Sequence, residues 1–169
     1  EDVINYLLTQ KNIDKNRLGM IAQSCGFPSV VLSDVSFIKT IVSISGVFSP
    51  YKNLKNIFQK RQAFNPTGIS RFPRSSGDVT EIGTDFWKML EAYDEPTLLK
   101  NIAQPLLVIY GDRDDKIPLD DVMRGYAMLG SSKNELKIFS GGDHGIVKVP
   151  KEMREEFLQD IRHWFLATL

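Results

Sequence analysis

Cysteine occurs once in the 169 residues, at Cys25, which excludes an internal disulfide framework and any zinc site built from several cysteines. Histidine occurs twice, at His144 and His163, so chemistry that needs an imidazole has few places to reside. An excess charge of either sign is also absent. The 21 Lys and Arg balance the 21 Asp and Glu, leaving no bulk basic field for nucleic acid. No apolar run approaches the roughly 20 residues that span a bilayer. The chain opens on Glu1 with neither methionine nor a signal-like segment. The expectation is a chain whose original N-terminus lies elsewhere, in a cytoplasmic protein. Repeats and low-complexity tracts are lacking as well.

What is present suits one compact domain. The length falls in the ordinary domain range, and 42% hydrophobic residues can form a real core. Val3, Ile4, Leu7 and Leu8 recur at helical spacing over residues 2–10. Asn12 to Asn16 reads as a polar turn. The short apolar run Arg17–Gln23 predicts a buried strand, and Lys39–Ser45, Pro105–Tyr110 and Glu135–Phe139 predict three more strands. Helices fall between them, one after Ser24 with Pro28 in its first turn, another marked by Val122, Tyr126 and Leu129. Met153, Phe157, Ile161 and Trp164 form one stripe of a C-terminal docking helix. Alternating strands and helices predict an α/β fold, a parallel sheet covered on both faces. Ligands of such sheets sit beyond the carboxyl ends of the strands.

Residues 48–96 interrupt the alternation with Pro50, Pro66, Pro73, Gly68, Gly77 and a Ser75–Ser76 pair. Their length predicts a cap or lid inserted between core segments 1–47 and 97–169. Phe86, Met89, Leu90 and Tyr93 predict a helix within it. No acid occurs between Tyr51 and Gly77, while Lys52, Lys55, Lys60, Arg61, Arg71 and Arg74 do. A solvated loop face accounts for this run, and a surface favouring anionic substrate groups is the alternative. Phe58, Phe64, Phe72, Phe86 and Trp87 are expected either to line an acyl or aryl pocket or to pack the cap.

The polar residues that follow the strands carry the chemistry. Ser24 lies between a strand and a helix in Ala22-Gln23-Ser24-Cys25-Gly26. A nucleophile presented on a strained turn needs small residues two before and two after, and Ala22 and Gly26 are small. The helix start behind it suits a developing oxyanion, with the Cys25 N–H as first donor. Asp112, Asp114 and Asp115 follow the third strand, where a carboxylate can orient a histidine. Strand-end aspartates also form turns or cap helices, which suits Asp112, and Asp120 is expected to cap the next helix. His144 follows the fourth strand between glycine-rich neighbours, while His163 lies off the apolar stripe of the last helix. A metal site from Asp112, Asp114, Asp143 and His144 is a weaker reading, because the spacing matches no compact zinc motif. Neither a metal nor another cofactor is expected. The order serine, acid, histidine, each after a different strand, is that of the α/β-hydrolase triad.

On these residues the sequence resembles the α/β-hydrolase superfamily. RLGMIAQSCGF is similar to a nucleophile-elbow strand and turn, PLLVIYGDRDDKIP to an acid-bearing segment, and SGGDHGI to a histidine loop. The acid register of the family selects Asp114 over Asp112 and Asp115. INYLLTQKNIDKNRLGMIAQS is similar to the dienelactone-hydrolase, feruloyl-esterase and prolyl-oligopeptidase branches. Ala22 stands where glycine is commoner, and Phe27, followed by Pro28, occupies a position often held by a second glycine. Cys25, beside rather than at the nucleophile position, reads as a small buried residue.

The resemblance implies a serine hydrolase acting on ester-like bonds of a small acyl substrate, with Ser24, Asp114 and His144 catalytic and Cys25 in the oxyanion hole. Family members carry about four further strands before this region and a second oxyanion donor. The expectation is therefore a partial fold of about four parallel strands, completed by a missing N-terminal half or by a homodimer partner, and feeble turnover by the chain alone. A non-catalytic binding or assembly module, and a peptidase or acyltransferase on the same fold, are the alternatives.

Overall fold

A computed structural model describes residues 2–74 and 76–169. Glu1, and Ser75 of the serine pair, lie outside the described residues. In chain order the elements are α1 (Asp2–Thr9), β1 (Gly19–Gln23), α2 (Gly26–Val31), β2 (Thr40–Ile44), α3 (Pro50–Lys60), β3 (Ser70–Pro73) and β4 (Val79–Ile82). There follow α4 (Thr84–Glu91), α5 (Glu95–Lys100), β5 (Leu106–Gly111), α6 (Leu119–Met128), β6 (Asn134–Phe139) and α7 (Lys151–Thr168).

β1, β2, β5 and β6 pair in that spatial order, all parallel. This is the predicted four-stranded sheet with its helical flanks. The two inner strands, β2 and β5, are buried at every position. Their side chains alternate between two cores, as a pleat of period two requires. Ile41, Leu106, Val108 and Tyr110 face one way, onto Phe27, Val30, Phe48 and Val122. Val42, Ile44, Leu107 and Ile109 face the other, onto Phe139, Phe157 and Ile161. Each such side chain contributes about 1.5–3 kcal/mol by leaving water. The α7 stripe docks as predicted, and the Trp164 indole N–H donates to Thr40 Oγ1 on β2 at 2.8 Å.

β1 is an outer strand. Its Ile21 is 52% exposed, and among the described residues no strand pairs with its other side. It is also shorter than predicted, beginning at Gly19 rather than Arg17. Leu18 already accepts the Lys39 N–H, while Arg17 instead donates to Asp14 in the preceding turn.

The chain divides into two compact units, residues 1–48 with 96–169 and residues 49–95. The second has its own core of Phe58, Ala63, Trp87 and Leu90, with Tyr51, Leu54, Phe64, Phe72, Ile82 and Phe86 against it. The Trp87 ring lies edge-on to Phe58, Phe64 and Phe86. Its indole N–H donates to Ser70 Oγ, which in turn donates to the Asn65 carbonyl. The five aromatics thus pack on one another as core. Sequence reasoning found α4 but missed α3 and the antiparallel β3–β4 hairpin. Tyr51, Leu54 and Phe58 carried the helical spacing of α3, with Pro50 at its permitted first position. Pro73 and Gly77 hid the hairpin.

Candidate active site

Ser24 ends β1. Its N–H donates to the Ile44 carbonyl at 2.9 Å, so it still belongs to the ladder, yet its φ is +51°. A side-chain-bearing residue in that left-handed region carries about 1–2 kcal/mol of strain. The turn is held by the Ser24 carbonyl, which accepts the Phe27 N–H at 3.1 Å and the Val47 N–H at 3.2 Å. Tight packing beneath it falls at Gly46, where a Cβ would run into Ser43 Oγ and crowd Phe27. Gly26, expected to be small by necessity, is not crowded: a Cβ there would meet no heavy atom within 4 Å.

Cys25 corrects another expectation. It is exposed, not buried. It takes the N-cap position of α2, outside the face that Phe27, Pro28 and Val30 bury. Asp120 likewise does not cap α6. Pro118 holds that position, and Asp120 lies in the first helical turn.

The three aspartates after β5 separate clearly. Asp112 Oδ1 accepts the Gly141 N–H at 2.6 Å, and Asp115 is exposed. The Asp114 side chain is wholly buried. Its Oδ1 accepts the N–H groups of Lys116 and Ile117 at 2.9 and 3.1 Å. Its Oδ2 lies 2.8 Å from His144 Nδ1. Burial pushes its pKa up, but the bonds from His144, Ile117 and Lys116 outweigh this and hold the carboxyl below its ordinary value. Beneath the loop, the Tyr110 phenol donates to the Ile117 carbonyl. Burial, then the charges of Asp114, Asp112 and Asp121, push that phenol up to about 12, so it remains a donor.

His144 completes a hydrogen-bonded line. Its Nε2 lies 3.1 Å from Ser24 Oγ, opposite the bond to Asp114, and its side chain is 13% exposed. A neutral imidazole with its proton on Nδ1, toward Asp114, leaves Nε2 free to accept the serine proton. His163 is exposed on α7. Asp143, weighed as a metal ligand, instead accepts the N–H groups of Val147 and Lys148 at 2.7 and 3.0 Å. Among the described residues no three His, Cys, Asp or Glu side chains gather as metal ligands. No described helix is long and apolar enough to cross a membrane.

Sequence reasoning missed Gly46, Tyr110 and Ser45, which accepts the Gly145 N–H at 2.9 Å. Only a strand-end position at Ser45 and Tyr110 was visible beforehand.

No protein-family model matches the chain. A stretch of 78 residues, 46% of the chain, is 36% identical to the non-heme chloroperoxidase CPO-A1 of Kitasatospora aureofaciens and covers 24% of that protein. Among solved structures, Est1E from Butyrivibrio proteoclasticus aligns over 98% of this chain and 67% of its own, at 16% identity and a TM-score of 0.75. The esterase domain of a Rhodothermus marinus protein aligns over 96% and 65%, at 14% identity and a TM-score of 0.70. The Pyrococcus horikoshii acylaminoacyl peptidase aligns over 99% of this chain and 26% of its own, at 19% identity and a TM-score of 0.70. The chain thus spans about two thirds of the esterases' length and far less of the other two. What the three solved structures share with it is the fold, and the chain has the α/β-hydrolase fold.

Proposed function

We propose that the chain is the triad-bearing part of a serine hydrolase that cleaves ester-like bonds through an acyl-enzyme. The observation that carries this reading is the continuous line Ser24 Oγ, His144 Nε2, His144 Nδ1, Asp114 Oδ2, with spacings of 3.1 and 2.8 Å. His144 takes the Ser24 proton as Oγ attacks the substrate carbonyl, and returns it to the departing alcohol. Water then repeats the sequence in reverse to free the acid. Asp114 fixes the imidazole tautomer and stabilises its charged form. The Cys25 N–H, next in the turn after Ser24, donates to the oxyanion. An ester assay series begins sensibly with esters of aromatic acids, since one structure of Est1E holds ferulic acid.

The test is labelling of the full chain by a fluorophosphonate, followed by peptide mapping. Modification at Ser24, lost in Ser24→Ala, is the expected result. Equal labelling of Ser24→Ala overturns the assignment. A second reading, a chloroperoxidase-type activity, rests on the 36% identity over 78 residues. Chlorination dependent on chloride and peroxide, measured beside ester cleavage, separates the two.

A further inference from the structure

Ser24 and His144 come from opposite edges of the sheet. Ser24 follows β1, the His144 loop follows β6, and the order β1-β2-β5-β6 puts three strand spacings between them. At about 4.8 Å per spacing the gap is roughly 14 Å. No imidazole spans that distance by its own side chain, so the loop backbone must cross the ends of β5 and β2. Hydrogen bonds mark each stage of the crossing. After β5, the Gly142 carbonyl accepts the Arg113 N–H at 2.9 Å, and the Gly141 N–H reaches Asp112. After β2, the Gly145 N–H donates to Ser45 Oγ at 2.9 Å.

We propose that Ser45 is a positioning residue for His144, its hydroxyl pinning the loop over β2 one residue past the imidazole. This rests on the reading of Ser24 as nucleophile. Ser45 is fully buried, and its N–H donates to the Ile109 carbonyl at 2.8 Å, so its backbone is locked to β5. Its φ is +47°, a conformation that glycine would adopt without strain. A serine held there despite that cost is accounted for by what its side chain binds. The other side of the loop is also occupied, because a Cβ on Gly145 would run into Gln23 Nε2. Gln23 directly precedes Ser24. The loop is therefore clasped at Gly145 between the end of β2 and the end of β1, and Ser45 supplies the hydrogen bond.

The test compares the full chain with Ser45→Ala and Ser45→Gly. The glycine variant removes the hydroxyl and relieves the backbone, so the pair separates the hydrogen bond from strain. Fluorophosphonate inactivation kinetics give kinact and KI. The expected result is a fall in kinact of about 10–100-fold in both variants, with KI unchanged, the order of loss a 1 Å misplacement causes. The His144 Nδ1–H proton resonance, assigned with the help of a His163→Gln background, is expected to lose its protection from exchange in both. Unchanged kinact together with an unchanged His144 proton overturns the proposal. So does a loss of melting temperature with kinact falling and KI rising together, which marks packing alone. If the wild type is not labelled at Ser24, the nucleophile reading fails, and the proton resonance still decides whether Ser45 holds His144.

Discussion

Tyr110 and Ile117 close the acid loop from below, the buried phenol donating to the Ile117 carbonyl while the Ile117 N–H donates to Asp114. One residue thus serves the strand beneath and the carboxylate above. Tyr110→Phe leaves the Ile117 carbonyl buried without that donor, at about 1–3 kcal/mol. A drop in chemical-denaturation stability of that size is expected, larger above than for an exposed tyrosine such as Tyr6. The phenol pKa is raised to about 12, so the neutral, donating form is the one the fold favours. Its stabilisation is complete below about pH 10, the ordinary tyrosine value, and is lost as pH rises through the folded pKa. Wild type is expected to lose more stability than Tyr110→Phe in that alkaline window, because the Tyr93 phenol, also pushed up by burial, titrates in both proteins.

Asp114 gives the opposite pH signature. Its folded pKa is depressed, so its stabilisation is present above its unfolded pKa and is lost as pH falls through the folded one. Asp114→Asn should flatten the acid limb of the stability profile. It should also slow Ser24 labelling by about 10,000-fold, since an amide cannot hold the productive tautomer. A labelling rate within tenfold of wild type would remove Asp114 from the proposed triad.

The glycines divide sharply. A Cβ at Gly111 would strike the backbone of Gly142 and Asp143, which no side-chain rotation relieves. Gly111→Ala is expected to destabilise by about 1–3 kcal/mol or more, by forcing the acid and histidine loops apart. Gly26→Ala is expected to be neutral, or stabilising by about 0.5–1 kcal/mol, because it places alanine in open space within α2. Thermal melts of the two variants check both.

In the 49–95 unit, Phe58 packs against Phe72 and Trp87, with ring centroids 4.7 and 5.2 Å away. Phe58→Ala is expected to cost about 3–5 kcal/mol, as removal of a core ring does. A variant with wild-type stability but altered substrate preference would return these aromatics to the pocket reading.

The four sheet strands were legible because β2 and β5 are nearly continuous apolar runs and β1 and β6 are shorter, partly apolar ones, and the triad positions because each follows one of these strands. Asp114 is the instructive case. Its neighbours Asp112 and Asp115 are chemically identical, and only the resemblance to known hydrolases separated them before the geometry was seen. Cys25 was misjudged because composition says that cysteines are usually buried, whereas its place at the end of a turn exposes it. Gly26 differs in another way: a small residue in a motif reads as a steric need, yet the space beside it is open. Ser45 was out of reach, since its role rests on a partner 100 positions away. The β3–β4 hairpin was hidden by Pro73, tolerable at the end of a two-stranded pair.

The sequence holds two tryptophans, and the division of the chain gives one to each unit: Trp87 at the heart of the 49–95 core, Trp164 on α7 against β2. Each unit therefore carries its own intrinsic fluorophore. With Trp87→Phe the emission reports only the sheet, and with Trp164→Phe only the 49–95 unit. Coincident or separate denaturation midpoints in those two proteins would reveal whether the units melt as one cooperative body.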